Sequence, residues 1–410
     1  MTRRSQTEVV SLKRRADVAE RMLDGSLTLL GAAGRQVHLL NESAAEIWNA
    51  IGDGTTLDGL VSTIAERFVI DEATLRADIV DSLPGFADLV EIDLDREMTT
   101  PSDALAGSEC RAPIKRGSGG RRIGPFRALE STVVIEVAER VGQASDTFVA
   151  DLRAVLAPLI RTSSSNADGV GGAGSDPLIT LRVDQIDRDS PIPQFVLERN
   201  GEPVTRVPTV ASLRAVVLAE VNAAPIAALR ESVGWHAGAV EFPAGVVVFP
   251  GRSNAGKSTL VTQLVQRGHG YLTDEAVAIG VASAEVRSFP KSVCVDHGGK
   301  SLFAELAPPH QIDWPTWHVD PNRIGPGRLG EPGRPLAFVF PTYDGSPSVS
   351  LERLTRREAL EALLENSFDF AEVGEAGAAL MLLVADEIPC YQLRHGGQPE
   401  HIALLEERFA

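Results

Sequence analysis

Cysteine is scarce. Cys110, Cys294 and Cys390 are the only three in 410 residues, far apart and odd in number, which argues against a disulfide framework and for a reducing compartment. No Cys/His cluster has metal-ligand spacing, so a structural zinc site is not expected. No apolar run approaches the length needed to span a membrane. The basic start Met1-Thr2-Arg3-Arg4 has no apolar segment behind it, so no secretory signal is read and a cytoplasmic location is expected. Basic residues are outnumbered, 39 against 56 acidic, for a net charge of −17. That balance speaks against nucleic acid or an anionic membrane as partner. The length suits two or three domains, each able to bury a core.

Against this plain background one segment carries chemistry. The apolar run Val246-Val247-Val248-Phe249-Pro250 leads into Gly251-Arg252-Ser253-Asn254-Ala255-Gly256-Lys257-Ser258-Thr259, and a helical pattern follows as far as Gly268. Strand, glycine-bounded loop and helix in that order are the context a phosphate-binding loop requires. The glycines let the backbone curl until successive N–H groups face one anion, and the helix N-terminus adds positive potential. Gly251 to Thr259 is therefore the expected nucleotide-binding set. Lys257 would reach the β- and γ-phosphates, and the Ser258 hydroxyl would hold Mg²⁺. The plain alternative is a glycine-rich turn that matches by chance.

Beyond the loop, Gly270 to Ile279 alternates like one strand, with Asp274 and Glu275 in its first half. Asp274 follows Ser258 by only sixteen positions, closer than the second acidic motif of most phosphate-loop proteins. Upstream, His236 lies in the strand pattern Val233–Val240, which would turn at Pro243-Ala244-Gly245 into the strand before the loop. This constellation resembles the catalytic domain of the HPr kinase/phosphorylase family, whose fold is related to phosphoenolpyruvate carboxykinase. The matching pieces are His236-Ala237, Gly251 to Thr259, Arg267-Gly268 and Leu272-Thr273-Asp274-Glu275, with weaker agreement at Phe289-Pro290-Lys291 and Pro335 to Pro341. The family's kinases usually have glycine where Asn254 stands and a second aspartate where Glu275 stands. The resemblance implies that Asp274 accepts the proton of an attacking hydroxyl and that Glu275 joins Ser258 on Mg²⁺. It places His236 and Lys257 beside the transferred phosphoryl group and makes ATP the cofactor. Thr259 would support the helix, and Lys291 would contact phosphate or substrate.

The first 97 residues read as a small unit. Leu27–Leu30 and Val37–Leu40 form two strands around Gly31-Ala32-Ala33-Gly34. Three amphipathic helices follow, carrying Ala44, Ile47, Trp48 and Ile51; then Leu57, Leu60, Ile64 and Phe68 behind a Thr56 cap; then Leu75, Ile79, Leu83 and Phe86 behind Asp71. The pattern is winged-helix-like, yet between Asn41 and Asp93 twelve acidic residues face only Arg67 and Arg76. Such a surface repels phosphates, so DNA binding is not expected. From Leu39-Leu40-Asn41-Glu42 through Trp48, Thr56 to Val61, and Ala65-Glu66-Arg67-Phe68, the unit resembles the PqqD-like family of peptide-recognition elements in ribosomal-peptide biosynthesis. The resemblance implies that a leader peptide adds as a strand to the sheet edge and rests on the third helix.

Residues 98–130 read as a basic flexible linker. Residues 131–410 read as one α/β catalytic domain with a flexible insert at 162–176. Strands are expected at Val133–Val137, Leu178–Val183 and Gln194–Leu197. Helices are expected at Asp146–Ile160, Ser212–Ala228, Arg356–Asn366 and Pro399–Arg408. The fold class is thus α/β: a small winged-helix-like domain, then a P-loop kinase domain of the HPr kinase/phosphoenolpyruvate carboxykinase type. Fused, the two resemblances imply an ATP- and Mg²⁺-dependent kinase that phosphorylates a Ser or Thr hydroxyl of a ribosomally made precursor peptide. Two readings stand beside it: a kinase for a carrier protein or small hydroxyl metabolite, and a nucleotide-gated peptide chaperone. A homo-oligomer is compatible with the sequence.

Overall fold

A computed structural model describes residues 9–16, 18–23, 26–30, 37–40, 42–68, 70–73, 75–76, 79, 89–94, 120–141, 144–165, 177–186, 194–252, 255–326, 328–345, 348–368, 370 and 372–410. The chain divides into two compact units, Met1–Arg116 with Gly374–Ala379, and Gly117–Val373 with Leu380–Ala410.

In the first unit Ser26–Leu30 pairs antiparallel with Val37–Leu39, as expected, and also with Ala19–Leu23. A second small sheet, not anticipated, sets Val9–Arg14 between Thr55–Thr56 and Val90–Leu94. Helices Glu42–Ile51 and Leu57–Phe68 follow the expected spans. The Thr56 hydroxyl accepts the Gly59 N–H at 3.1 Å, which satisfies an orphan donor of the helix start. Leu12, Leu29, Trp48, Leu60 and Ile64 fill one core. Trp48 is pinned from two sides: its indole N–H donates to Glu20 at 2.9 Å, and the Arg14 guanidinium lies 4.6 Å above its ring. Phe68 departs from expectation, since it ends its helix 39% exposed. Of the third helical segment, Leu75 and Ile79 are buried, while Leu83 and Phe86 lie outside the described residues.

The second unit begins earlier than the reading of a linker to 130 allowed. Gly120–Ala128 is a strand, paired antiparallel with Ser131–Ala138. Its alternation of arginines with Ile123, Phe126 and Ala128 buries one side and wets the other. That alternation was masked by the basic composition. The five-stranded sheet runs Glu202–Val207, Gln194–Arg199, Leu178–Ile186, Ser131–Ala138, Gly120–Ala128. The single helix expected over Asp146–Ile160 is two, Ala144–Val155 and Ala157–Ser165. Pro158 lacks an N–H and sits in the first turn of the second, where none is needed. Thr162 to Ser165 belong to that helix and not to a flexible insert. Thr162 and Ser163 donate their hydroxyls back to the carbonyls of Pro158 and Leu159, which reconciles them with helix.

Helix Val210–Ala227, capped by Thr209, is long and apolar enough to cross a membrane by length and composition, contrary to the sequence reading that no segment is. In this fold Leu213, Val217 and Val221 pack with Ile135, Leu181 and Leu197 in one core. A second, mixed sheet runs Val286–Arg287, Ala276–Gly280, Ser232–Phe242, Gly245–Pro250, Pro335–Tyr343, Cys390–His395, Ser350–Arg353. The last helices are Arg356–Asn366, begun by a Thr355/Glu358 capping box, and Glu400–Phe409. Gly374–Glu387, a further helix, was not anticipated.

Candidate functional site

The site grows from one hairpin. Ser232–Phe242 turns at Pro243 and Ala244 and returns as Gly245–Pro250, with Ala237 opposite Pro250. The chain then leaves the sheet at Gly251, whose N–H donates to the His236 carbonyl at 3.2 Å. Ser253 and Asn254 lie outside the described residues. Gly256, the residue before helix Lys257–Gln266, has φ +83°, a left-handed conformation that glycine adopts without strain. The helix then runs back across the sheet, and Gly238 leaves room for it: a Cβ there would meet Val261 at 2.6 Å.

The acidic pair lies at a break between two strands, not within one. Gly270–Thr273 and Ala276–Gly280 both pair with the His236 strand, and Asp274 and Glu275 form the bend between them. The Thr273 hydroxyl stabilises that bend by accepting the N–H of Glu275 at 3.2 Å. Because both flanks are tied to one strand, the bend falls beside His236. The Glu275 carbonyl accepts from the Ala237 N–H and lies 2.9 Å from His236 Nδ1. Facing a carbonyl, Nδ1 must carry the proton, which leaves Nε2 as the ring's acceptor when the ring is neutral. Burial, then the Lys257 charge, lowers the His236 pKa and favours that neutral form.

His236, Gly256, Lys257, Ser258, Thr259, Asp274 and Glu275 line one cavity of ≈ 180 Å³. Thr262, Cys294, Val295, Asp296, Gly299 and Phe303 complete its wall. Lys257 is 5% exposed and donates to the carbonyls of Gly251 at 2.6 Å and Arg252 at 2.8 Å. Burial lowers its pKa to about 8 against the pull of Glu275 and Asp274. Arg252 reaches away from the cavity towards Glu365, 3.6 Å distant.

Asp274 and Glu275 differ sharply in setting. The Asp274 side chain is 0% exposed and that of Glu275 is 32% exposed. Asp274 accepts from Lys291 Nζ and the Tyr271 hydroxyl, both at 2.9 Å on Oδ1, and from the Cys294 N–H at 3.0 Å on Oδ2. Burial alone would raise its pKa, but the Lys291 charge and these hydrogen bonds hold it below the ordinary carboxylate value. Three of about four lone-pair positions are thereby filled, leaving one on Oδ2. The same cluster pushes the Tyr271 hydroxyl well above its usual value and the Cys294 thiol up to about 11, burial leading in both. Lys291 is thus a buried partner of Asp274 and does not line the cavity. Tyr271, three residues before Asp274, carried a faint signal. Cys294 and Asp296 carried none.

The oxygen donors suit Mg²⁺. A hydroxyl at Ser258 and a half-exposed carboxylate at Glu275 are hard ligands, and no cluster of three His, Cys, Asp or Glu capable of holding a metal occurs among the described residues. Mg²⁺ matches that arrangement, because it is held through one or two carboxylates plus substrate phosphates.

Residues 27–85 match the family described as coenzyme PQQ synthesis protein D, PqqD. A stretch of 100 residues is 36% identical to HPr kinase/phosphorylase of Bacillus subtilis (strain 168), spanning 23% of this chain and 30% of that relative. Among solved structures, the Hpr(Ser) kinase/phosphatase from Coxiella burnetii aligns at 16% identity and a TM-score of 0.20, over 42% of this chain and 91% of its own. The chain therefore carries a PqqD domain at residues 27–85 together with a stretch homologous to HPr kinase/phosphorylase.

Proposed function

We propose that this protein is an ATP-dependent kinase that phosphorylates a Ser or Thr hydroxyl of a ribosomally synthesised peptide recruited by its PqqD domain. The observation that carries the reading is the convergence of Lys257, Ser258, Glu275, Asp274 and His236 on one cavity at the start of the loop helix. A PqqD domain implies a peptide partner, and the homology to HPr kinase/phosphorylase suggests the reaction. In this reading the first unit is winged-helix-like and the second a P-loop kinase domain of the HPr kinase/phosphoenolpyruvate carboxykinase type. The protein acts in the cytoplasm.

The roles follow from the setting of each group. The loop N–H groups and Lys257 hold the ATP phosphates, and Thr259 buttresses the helix start. Ser258 and Glu275 hold Mg²⁺, which supplies charge neutralisation on the phosphates. Phosphoryl transfer depends mainly on positioning and neutralisation. Asp274 offers its remaining Oδ2 position to the acceptor hydroxyl and takes its proton as the acceptor oxygen bonds to the γ-phosphorus and the bond from that phosphorus to the departing ADP breaks. His236, neutral and accepting at Nε2, lines the approach to the same point.

The test is peptide mass after incubation of the protein with ATP, Mg²⁺ and a precursor peptide from a neighbouring open reading frame. The expected result is a gain of one phosphate on a Ser or Thr. Asp274→Asn should lower turnover about 10²- to 10⁴-fold, the usual contribution of a placed base, while still binding ATP. Lys257→Ala should weaken ATP binding itself. An unchanged peptide mass with wild-type protein that binds nucleotide sinks the peptide-kinase reading and leaves the nucleotide-gated chaperone or a kinase with another acceptor. Phosphorylation of a folded carrier protein in place of the peptide supports the second enzyme reading, which the name of the Bacillus subtilis relative favours.

A further inference from the structure

Lys291 packs against the acidic pair. Its Nζ lies 2.9 Å from Asp274 Oδ1 and 3.7 Å from Glu275 Oε2, with its side chain 7% exposed. We propose that Lys291 is a positioning residue, a buried ammonium that holds the Asp274–Glu275 pair from behind and takes no part in binding the nucleotide. The inference rests on the kinase reading for what the pair does, and on geometry alone for what Lys291 does.

Donor bookkeeping excludes a phosphate contact. An ammonium has three N–H groups, and those of Lys291 have three partners: Asp274 at 2.9 Å, Cys294 Sγ at 3.0 Å and the Ser292 carbonyl at 3.4 Å. Nothing is left to give a phosphate, and Lys291 is not among the residues that line the cavity. The segment that carries it is anchored independently. The Lys291 N–H donates to the carbonyl of fully buried Phe289 at 2.8 Å, and the Ser292 hydroxyl donates to the Val155 carbonyl at 2.6 Å. Three residues on, the Cys294 N–H reaches the same Asp274 carboxylate at 3.0 Å. One fixed segment therefore supplies both a charge and a backbone donor to a single side chain.

The physical need is clear. Asp274 and Glu275 are adjacent carboxylates in one small cavity, and like charges at such separations repel each other where water is excluded. The Lys291 ammonium, in reach of both, offsets that repulsion within the pair. Together with the Tyr271 hydroxyl and the Cys294 N–H, it fixes the Asp274 carboxylate in one orientation.

The experiment compares full-length wild type, Lys291→Met and Lys291→Arg. Affinity for a fluorescent ATP analogue with Mg²⁺ and steady-state transfer to peptide are measured in each. Expected is a Kd and an ATP KM within about threefold of wild type for Lys291→Met, while kcat falls about 100-fold, the scale of a misplaced base. Lys291→Arg, which keeps the charge, should recover part of that loss. A tenfold or greater rise in Kd for the analogue overturns the proposal, because it marks a direct phosphate contact. Wild-type kcat in Lys291→Met overturns it equally. If Lys291→Met does not fold, Lys291→Met/Asp274→Asn decides: recovered folding with wild-type Kd supports a charge-paired clamp, and a chain that stays unfolded refutes it. A wild type that binds the analogue but transfers nothing removes the kinase reading, while the Kd and the double variant still judge Lys291.

Discussion

A single side chain's setting can invert what its identity suggests. Lys291 looks like a phosphate contact in sequence and is a buried counter-ion in the fold; Asp274 and Glu275 look alike and differ in exposure and partners. The same lesson applies outside the cavity. His395 is 5% exposed, neither ring nitrogen has a hydrogen-bond partner among the described residues, and its ring lies 4.4 Å from that of His401. Burial, followed by the nearby His401, lowers the His395 pKa from 6.5 to about 4, against the weaker pull of Asp344. A base whose folded pKa lies below its unfolded value takes up its proton more readily when unfolded, so acid favours unfolding. Stability from this site is whole above about pH 6.5 and is lost as pH falls towards 4. Urea midpoints measured from pH 7.5 to 4.5 should therefore fall more steeply in wild type than in His395→Phe. Parallel slopes would assign the acid sensitivity to other groups.

Strands and helices were legible where periodicity and punctuation agreed. Helix Arg356–Asn366 falls on its expected span, since Thr355 and Glu358 write a capping box into the sequence. The strand Gly120–Ala128 was hidden by its arginines, and the break at Asp274-Glu275 by an unbroken alternation. In the second case local pattern could not show that the flanking strands share a partner. Helix Lys257–Gln266 approaches the His236 strand closely at Gly238, where a Cβ would meet Val261 at 2.6 Å. Gly238→Ala should destabilise the protein by about 1–3 kcal/mol through overpacking against Val261, read as a lower urea midpoint at unchanged m-value. Full stability would show that Val261 can move aside and that the helix is not held there.

At the scale of the whole chain, the proposed kinase gains its selectivity from linkage. If the PqqD domain captures a leader peptide, attack on the attached acceptor becomes intramolecular, at an effective concentration of the order of mM. A precursor with its leader should then be phosphorylated with a kcat/KM about 10²- to 10⁴-fold above that of the same peptide without it. Excess free leader should inhibit the first and leave the second unchanged. Equal rates for both substrates would separate the two halves functionally and favour a small-molecule or carrier-protein acceptor.

Read alone, the chain already shows that a glycine-bounded loop precedes a helix, that two carboxylates follow within seventeen residues of Ser258, and that an acidic pattern resembling a peptide-recognition element comes first. Each of these is a local matter of backbone freedom, side-chain period and charge, which short stretches of chain express without help. Packing alone brings Asp274 under cover at the cavity wall and leaves Glu275 part-exposed, sets Lys291 and the Cys294 N–H on one carboxylate, and turns His236 Nδ1 to the Glu275 carbonyl. Those facts depend on contacts between residues as many as 39 positions apart. Burial, which sets the strength of every charge in the cavity, belongs to the packed molecule and not to any segment of it.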